Sequence, residues 1–132
     1  MNFKIDTKEK FTTITPMQID LYDNLTAELD RLANDCLQSD IKNVILNLQH
    51  VNSINEPAAE KLATLQQTFY ENSASFVICE VNQPVEKQLD QFQLLETMNI
   101  TPSESEAWDI VQMEEIEREL LDGDDINFET HS

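Results

Sequence analysis

Apolar and polar positions alternate along this chain with a period that changes several times, and each change marks an element. Phe3 and Ile5 alternate with polar neighbours, and Phe11-Thr12-Thr13-Ile14-Thr15 is a β-branched and aromatic run. The chain therefore opens with two strands that turn near Lys8-Glu9-Lys10, the second ending at Pro16. From Asp23 the spacing is helical, with Leu25, Leu29, Leu32 and Cys36 on one face and Glu28, Asp30, Arg31 and Asp35 on the other. Val44-Ile45-Leu46-Asn47-Leu48 is mostly apolar and β-branched, as expected of a strand in the middle of a sheet. After Asn55-Glu56-Pro57 the helical period returns through Ala58, Leu62, Leu65 and Phe69 and ends near Asn72-Ser73.

Phe76-Val77-Ile78-Cys79 is a second core strand. Pro84 suits the first turn of a third helix that carries Val85, Leu89 and Phe92 on one side, and a short strand follows near Met98-Asn99-Ile100. Ser103 and Glu106 have capping-box spacing, and the helix they start carries Ala107, Ile110 and Val111. Its apolar stripe continues through Met113, Ile116 and Leu120 with acids between. Amphipathic helices ordinarily bury such a stripe within their own fold, so these three are expected on the sheet, a partner being the alternative. Two strands followed by alternating helix and strand make an α/β fold: a mixed sheet of about five strands with helices packed on it, plus an extended C-terminal helix.

Composition narrows the function. A chain of 132 residues fits one domain, and a net charge of −18 argues against nucleic acid or an anionic lipid surface as partner. The N-terminus lacks an export signal and no apolar run is long enough for a bilayer, so a soluble, cytoplasmic protein without direct membrane insertion is expected. Cys36 and Cys79 sit inside apolar patterns without Cys-x-x-Cys spacing, which favours buried reduced thiols over a disulfide or metal site.

Catalytic equipment is missing from the pattern. The only histidines are His50, beside a strand end, and His131, in the tail, and neither fits a triad. No glycine precedes Gly123, which excludes a glycine-rich phosphate loop. Glu104 and Glu106 form the kind of carboxylate pair that any chain this acidic produces. The cluster Asp122-Gly123-Asp124-Asp125 lacks the alternating ligands and distal glutamate of a calcium loop. No catalytic residue, metal or cofactor is assigned, and the chain is expected not to be an enzyme.

The order of elements, with Val44-Ile45-Leu46-Asn47-Leu48 leading through Val51-Asn52-Ser53-Ile54 into a helix, resembles a STAS domain of the anti-sigma factor antagonist type over about residues 2–112. In that family the second helix starts with Asp-Ser-x-Gly, and Asn55, Glu56, Pro57 and Ala58 stand at those four positions here. Gln18-Ile19-Asp20 is similar to the family's loop before the first helix, and Ser103-Glu104-Ser105-Glu106-Ala107-Trp108 to the acidic cap of its last. The resemblance implies a sheet covered on one side by helices and a domain that docks on a protein, often an anti-sigma factor that is a kinase-like ATPase. Phosphorylation of the motif serine weakens that docking in the family. Here Glu56 stands in its place and cannot be phosphorylated.

The expected organisation is a STAS-like domain over 1–112, a helix extension over 113–122 and an acidic, mobile tail over 123–132, with Gly123 as the helix stop. The partner-binding surface expected from the resemblance comprises Asn55, Glu56, Pro57 and Ala58 with Asp20 and Asp23. Glu56 can start the helix as a favourable N-terminal charge, or present a fixed charge that resembles a phosphoserine. Asp20 and Asp23 are also helix-cap acids in type, and Ser53 is a surrogate phosphorylation candidate beside the motif. Two other functions fit the same frame: a small-ligand or nucleotide sensor with a pocket between the sheet and the third helix, or an accessory STAS subunit of a transporter complex. Oligomeric state is not encoded in any motif.

Overall fold

The computed structural model describes the backbone of residues 3–131 and the side chains within that range except those of residues 24, 25 and 122–131. Leu25 of the first helical stripe, the Asp122 to Asp125 side chains and that of His131 thus lie outside the described residues.

β1 (Phe3–Thr7) and β2 (Phe11–Pro16) form an antiparallel hairpin that pairs Ile5 with Ile14. β3 (Asp20–Leu21) leads into α1 (Asp23–Leu37), then β4 (Asn43–Asn47), β5 (Ser53–Ile54) and α2 (Glu56–Glu71). β6 (Phe76–Cys79), α3 (Gln83–Gln91), a 3-10 turn at Leu95–Thr97, β7 (Ile100–Thr101) and α4 (Glu104–His131) complete the order. The main sheet runs β1-β2-β4-β6-β7, with β2, β4, β6 and β7 parallel. β3 and β5 pair separately as a two-stranded parallel ribbon, Asp20 opposite Ser53 and Leu21 opposite Ile54.

Strand alternation sorts the side chains into two layers. On one face Ile14, Val44, Leu46, Phe76 and Ile78 meet Leu29 and Ala33 of α1, Leu62, Leu65 and Phe69 of α2, and Val85 and Leu89 of α3 in one buried core. Phe69 and Phe76 tilt against each other with ring centroids 5.2 Å apart. On the opposite face Phe11, Ile45, Val77 and Cys79 pack on Ala107 and Val111 of α4. The implied sheet with helices on one side is therefore corrected: α4 covers the back. Burial, and then the charges of Glu104 and Glu80, push the Cys79 thiol up to about 12. Cys36 is half-buried, and its thiol is raised by burial and by Asp35 against a hydrogen bond from Thr12.

The back layer is otherwise polar. Asn43, Asn47 and Ser75 are buried there, and the glutamates of α4 reach them: Asn47 Nδ2 donates to Glu104 (3.0 Å), Asn43 Nδ2 to Glu115 (2.7 Å), and Ser75 Oγ to Glu114. Asn99 Nδ2 adds a second bond to Glu114 (3.2 Å), and Arg118 donates to Asn43 Oδ1 (3.5 Å) and Ser75 Oγ (3.3 Å). From Glu104 to Glu115 a helix advances roughly 16 Å. Asn47 and Asn43 lie about 13 Å apart on an extended strand, so these two anchors lay α4 antiparallel along β4. The expected burial of Met113, Ile116 and Leu120 on the sheet is overturned: all three are exposed. Hydrogen bonds, rather than the apolar stripe, decide which side of α4 faces inward.

Two helix ends show what a chain with one glycine does instead. Ser73 after α2 and Gln93 after α3 take the left-handed conformation, φ 58° and 63°, where glycine is usual. Glu80, φ 57°, follows β6 and accepts from the Glu104 N–H (3.1 Å), while Ser103 Oγ accepts from Glu106 N–H (3.3 Å) as the capping spacing anticipates. Gly123, in contrast, does not stop α4, which continues to His131. A single interior glycine costs a helix about 1 kcal/mol relative to alanine, and that does not by itself terminate it.

Candidate functional site

The loop from Leu48 to Asn55 connects β4 to α2 and is clamped from three sides. Asn82 Nδ2 donates to Gln49 O (3.0 Å), Val51 O (2.9 Å) and Asn52 Oδ1 (3.0 Å), and Gln88 Oε1 of α3 accepts from Ile54 N–H (2.8 Å). The third contact is with the chain before α1: Asn52 N–H and Ser53 N–H both donate to Ile19 O, at 2.7 and 3.2 Å. Val51 and Ile54 are buried and root the loop in the front core. Backbone fixed in this way has little conformational freedom left to lose.

At the end of this loop Asn55 caps α2. Its backbone is extended (φ −96°, ψ 169°), its Oδ1 accepts from Ala58 N–H (3.1 Å), and Pro57 occupies the first turn, where a missing N–H leaves nothing unsatisfied. The other half of the same amide, Nδ2, donates to Asp23 Oδ1 (3.1 Å), the first residue of α1. Two helix starts are thereby brought side by side, each with its unpaired N–H groups and positive dipole end. Asp23 and Glu56 stand at these two starts, and both are exposed.

Of the expected site residues, Asn55, Glu56, Pro57 and Asp23 converge at this corner, and Asp20 joins them through the β3–β5 ribbon. Ala58 is fully buried, so it supports the surface from below and presents no side chain on it. Among the described residues, Glu56 forms no side-chain hydrogen bond or ion pair and leaves its carboxylate free toward solvent. Ser53 is half-buried and its hydroxyl lies 3.1 Å from that of Tyr22. His50 is exposed two residues beyond Leu48, without a nucleophile bonded to it.

Sequence reasoning missed the apolar part of this corner. Ile19 is 63% exposed and Tyr22 38%, on the segment whose backbone Asn52 and Ser53 hold. Isolated apolar residues between Pro16 and the first helical turn, outside any period, were the available signal. An open apolar cavity of about 440 Å3 lies between the β1–β2 hairpin and α1, lined by Ile5, Ile14, Leu32 and Cys36 among others. No group of three or more His, Cys, Asp or Glu side chains converges as a metal site among the described residues. No helix there is long and apolar enough to cross a membrane.

A five-stranded mixed sheet with a capped, clamped helix start at one corner defines the class: an α/β domain that offers a rigid polar corner. The comparison with family models makes this definite, because the STAS domain model matches residues 4–107. The chain belongs to the STAS domain family.

Solved structures share the fold at low identity. A proposed anti-sigma factor antagonist from Thermotoga maritima is 18% identical over 83% of this chain and 94% of its own, with a TM-score of 0.74. The anti-sigma factor antagonist SpoIIAA in its unphosphorylated form is 13% identical over 84% and 96%, TM-score 0.67. The murine anion transporter Slc26a9 is 15% identical over 82% of this chain and only 18% of its own, TM-score 0.66. No curated protein matches the chain.

Proposed function

We propose that this chain is a non-catalytic regulatory module of the anti-sigma factor antagonist type, acting in the bacterial cytoplasm by docking on an anti-sigma factor of the kinase-like ATPase kind. The docking surface is the corner formed by Asn55, Glu56 and Pro57 with Asp20 and Asp23, completed by Ile19 and Tyr22 and backed by Ala58. One observation carries this reading: Glu56 stands at the motif position for a phosphorylatable serine, exposed at the start of α2 and engaged with no other described side chain. It presents a constant negative charge there, with less charge and fewer acceptor oxygens than a phosphate. The module is consequently not switched at this residue.

The test is an affinity pull-down with the wild-type chain and with Glu56→Ala and Glu56→Ser. The expected outcome is an ATP-binding regulatory kinase whose recovery changes in Glu56→Ala and which phosphorylates Glu56→Ser. Equal recovery of the partner by all three chains removes this surface from the account. Similarity to Slc26a9 supports the second reading, an accessory STAS subunit of a transporter. Recovery of a transporter's ATPase subunit in place of a regulatory kinase would favour it.

A further inference from the structure

α4 buries short apolar side chains at its start and turns a second apolar stripe outward further along. Toward the sheet it turns Ala107, Val111, Glu114 and Arg118, and away from it Met113, Ile116 and Leu120, which are 56%, 54% and 59% exposed. Rolling the helix to bury the stripe would break the bonds of Glu114, Glu115 and Arg118 to Asn43, Ser75 and Asn99, so the exposure is locked in. Met113, Ile116 and Leu120 follow the three-then-four spacing of a coiled-coil seam, and the positions flanking that seam are held by Glu117 and Glu119, both exposed.

The flanks decide what covers the stripe. A second copy of this chain would set glutamate against glutamate when antiparallel and Glu117 against Gln112 when parallel, so neither orientation gives Glu117 a basic partner. An anionic membrane surface is repelled by the same residues and by the net charge of −18. A helix with its own leucine-like seam and lysine or arginine on both flanks satisfies both the stripe and the acids.

We propose that the outer face of α4 is a second docking ridge, for an amphipathic helix of a partner protein whose apolar seam is flanked by basic residues. The ridge lies on the back of the domain, and α2 starts from the front layer, so it is independent of the surface around Glu56. Two turns from Met113 to Leu120 carry the described contact, which corresponds to a modest, salt-sensitive affinity.

The experiment titrates the full chain by calorimetry with two synthetic helical peptides that share one leucine seam, one with lysine on its flanks and one with glutamate. The lysine peptide is expected to bind and the glutamate peptide not. The double substitution Ile116→Gln with Leu120→Gln keeps every charge and is expected to weaken binding about tenfold or more. Circular dichroism should be unchanged by these exposed substitutions, and Met113→Gln is the second variant should the double one unfold. Absence of lysine-peptide binding overturns the proposal. Binding that survives the double variant is adsorption to charge and also overturns it. Sedimentation showing a dimer that the same double variant disperses would assign the ridge to a second copy and overturn it as well.

Discussion

On the front of the sheet α1, α2 and α3 bury Leu29, Leu62, Leu65 and Phe69 against Ile14, Val44, Leu46 and Ile78, whereas on the back α4 meets Asn43, Asn47 and Ser75 with three glutamates and an arginine. Apolar burial is strong and non-directional, so the front layer is held tightly while many rotations of a helix would satisfy it. Hydrogen bonds are directional and contribute less net stability each, but a buried partner left unpaired is costly. The back layer thus trades adhesion for orientation. That is why an exposed apolar ridge survives on α4 while no comparable stripe is exposed on the described part of α2.

The largest expected effect lies in front. Phe69→Ala removes a fully buried ring that touches Phe76 and should destabilise the domain by about 3–5 kcal/mol in urea unfolding. A loss no greater than that of a back-layer substitution would break the contrast between the faces. Asn43→Ala comes next. It takes the acceptor from Ser75 N–H (2.9 Å) and the donor from Glu115 and Lys10 O, for an expected cost of about 1–3 kcal/mol. Hydrogen exchange should then quicken at Ser75 and along α4 while α2 keeps its protection, and uniform loosening of both helices would show that the layers are not separable.

The smallest effect at neutral pH belongs to Cys79. Its native pKa of about 12 exceeds the ordinary 9.0, so the folded state keeps a proton that the unfolded state releases. This contribution is complete below pH 9 and is lost as pH rises from there toward 12. Urea titrations across that range should show a decline in wild type whose Cys79 component is absent in Cys79→Ala. An identical pH dependence in the two chains would place the thiol in a more open back layer than the contacts with Ala107 and Val111 describe.

Most of the elements were legible because they repeat. The stripe Ala58, Leu62, Leu65, Phe69 and the run Val44 to Leu48 declare a helix and a core strand by period alone, and the Asn55-Glu56-Pro57 start is capped as its residue types indicate. β3 and β5 were invisible, because two residues carry no period, and β7 begins at Ile100 instead of Met98, since a strand this short is bounded by its neighbour β6. The candidate site was half legible. Asn55 and Glu56 stand out by position, but the bond from Asn55 to Asp23 joins residues far apart in the chain, and the exposure of Ile19 follows from the loop that holds it.

Local pattern, then, determined the α/β class, the helix and strand order and the identity of the α2 start, since propensity, capping and amphipathicity act within one or two turns of chain. Tertiary structure alone decided that α4 crosses to the back of the sheet with Met113, Ile116 and Leu120 outward. The side chains that settle this, Asn43, Ser75 and Asn99 with Glu114, Glu115 and Arg118, come from distant strands and form their bonds only once the sheet exists. A hydropathy pattern records how much a residue prefers burial, and it carries no record of which hydrogen bonds will overrule that preference.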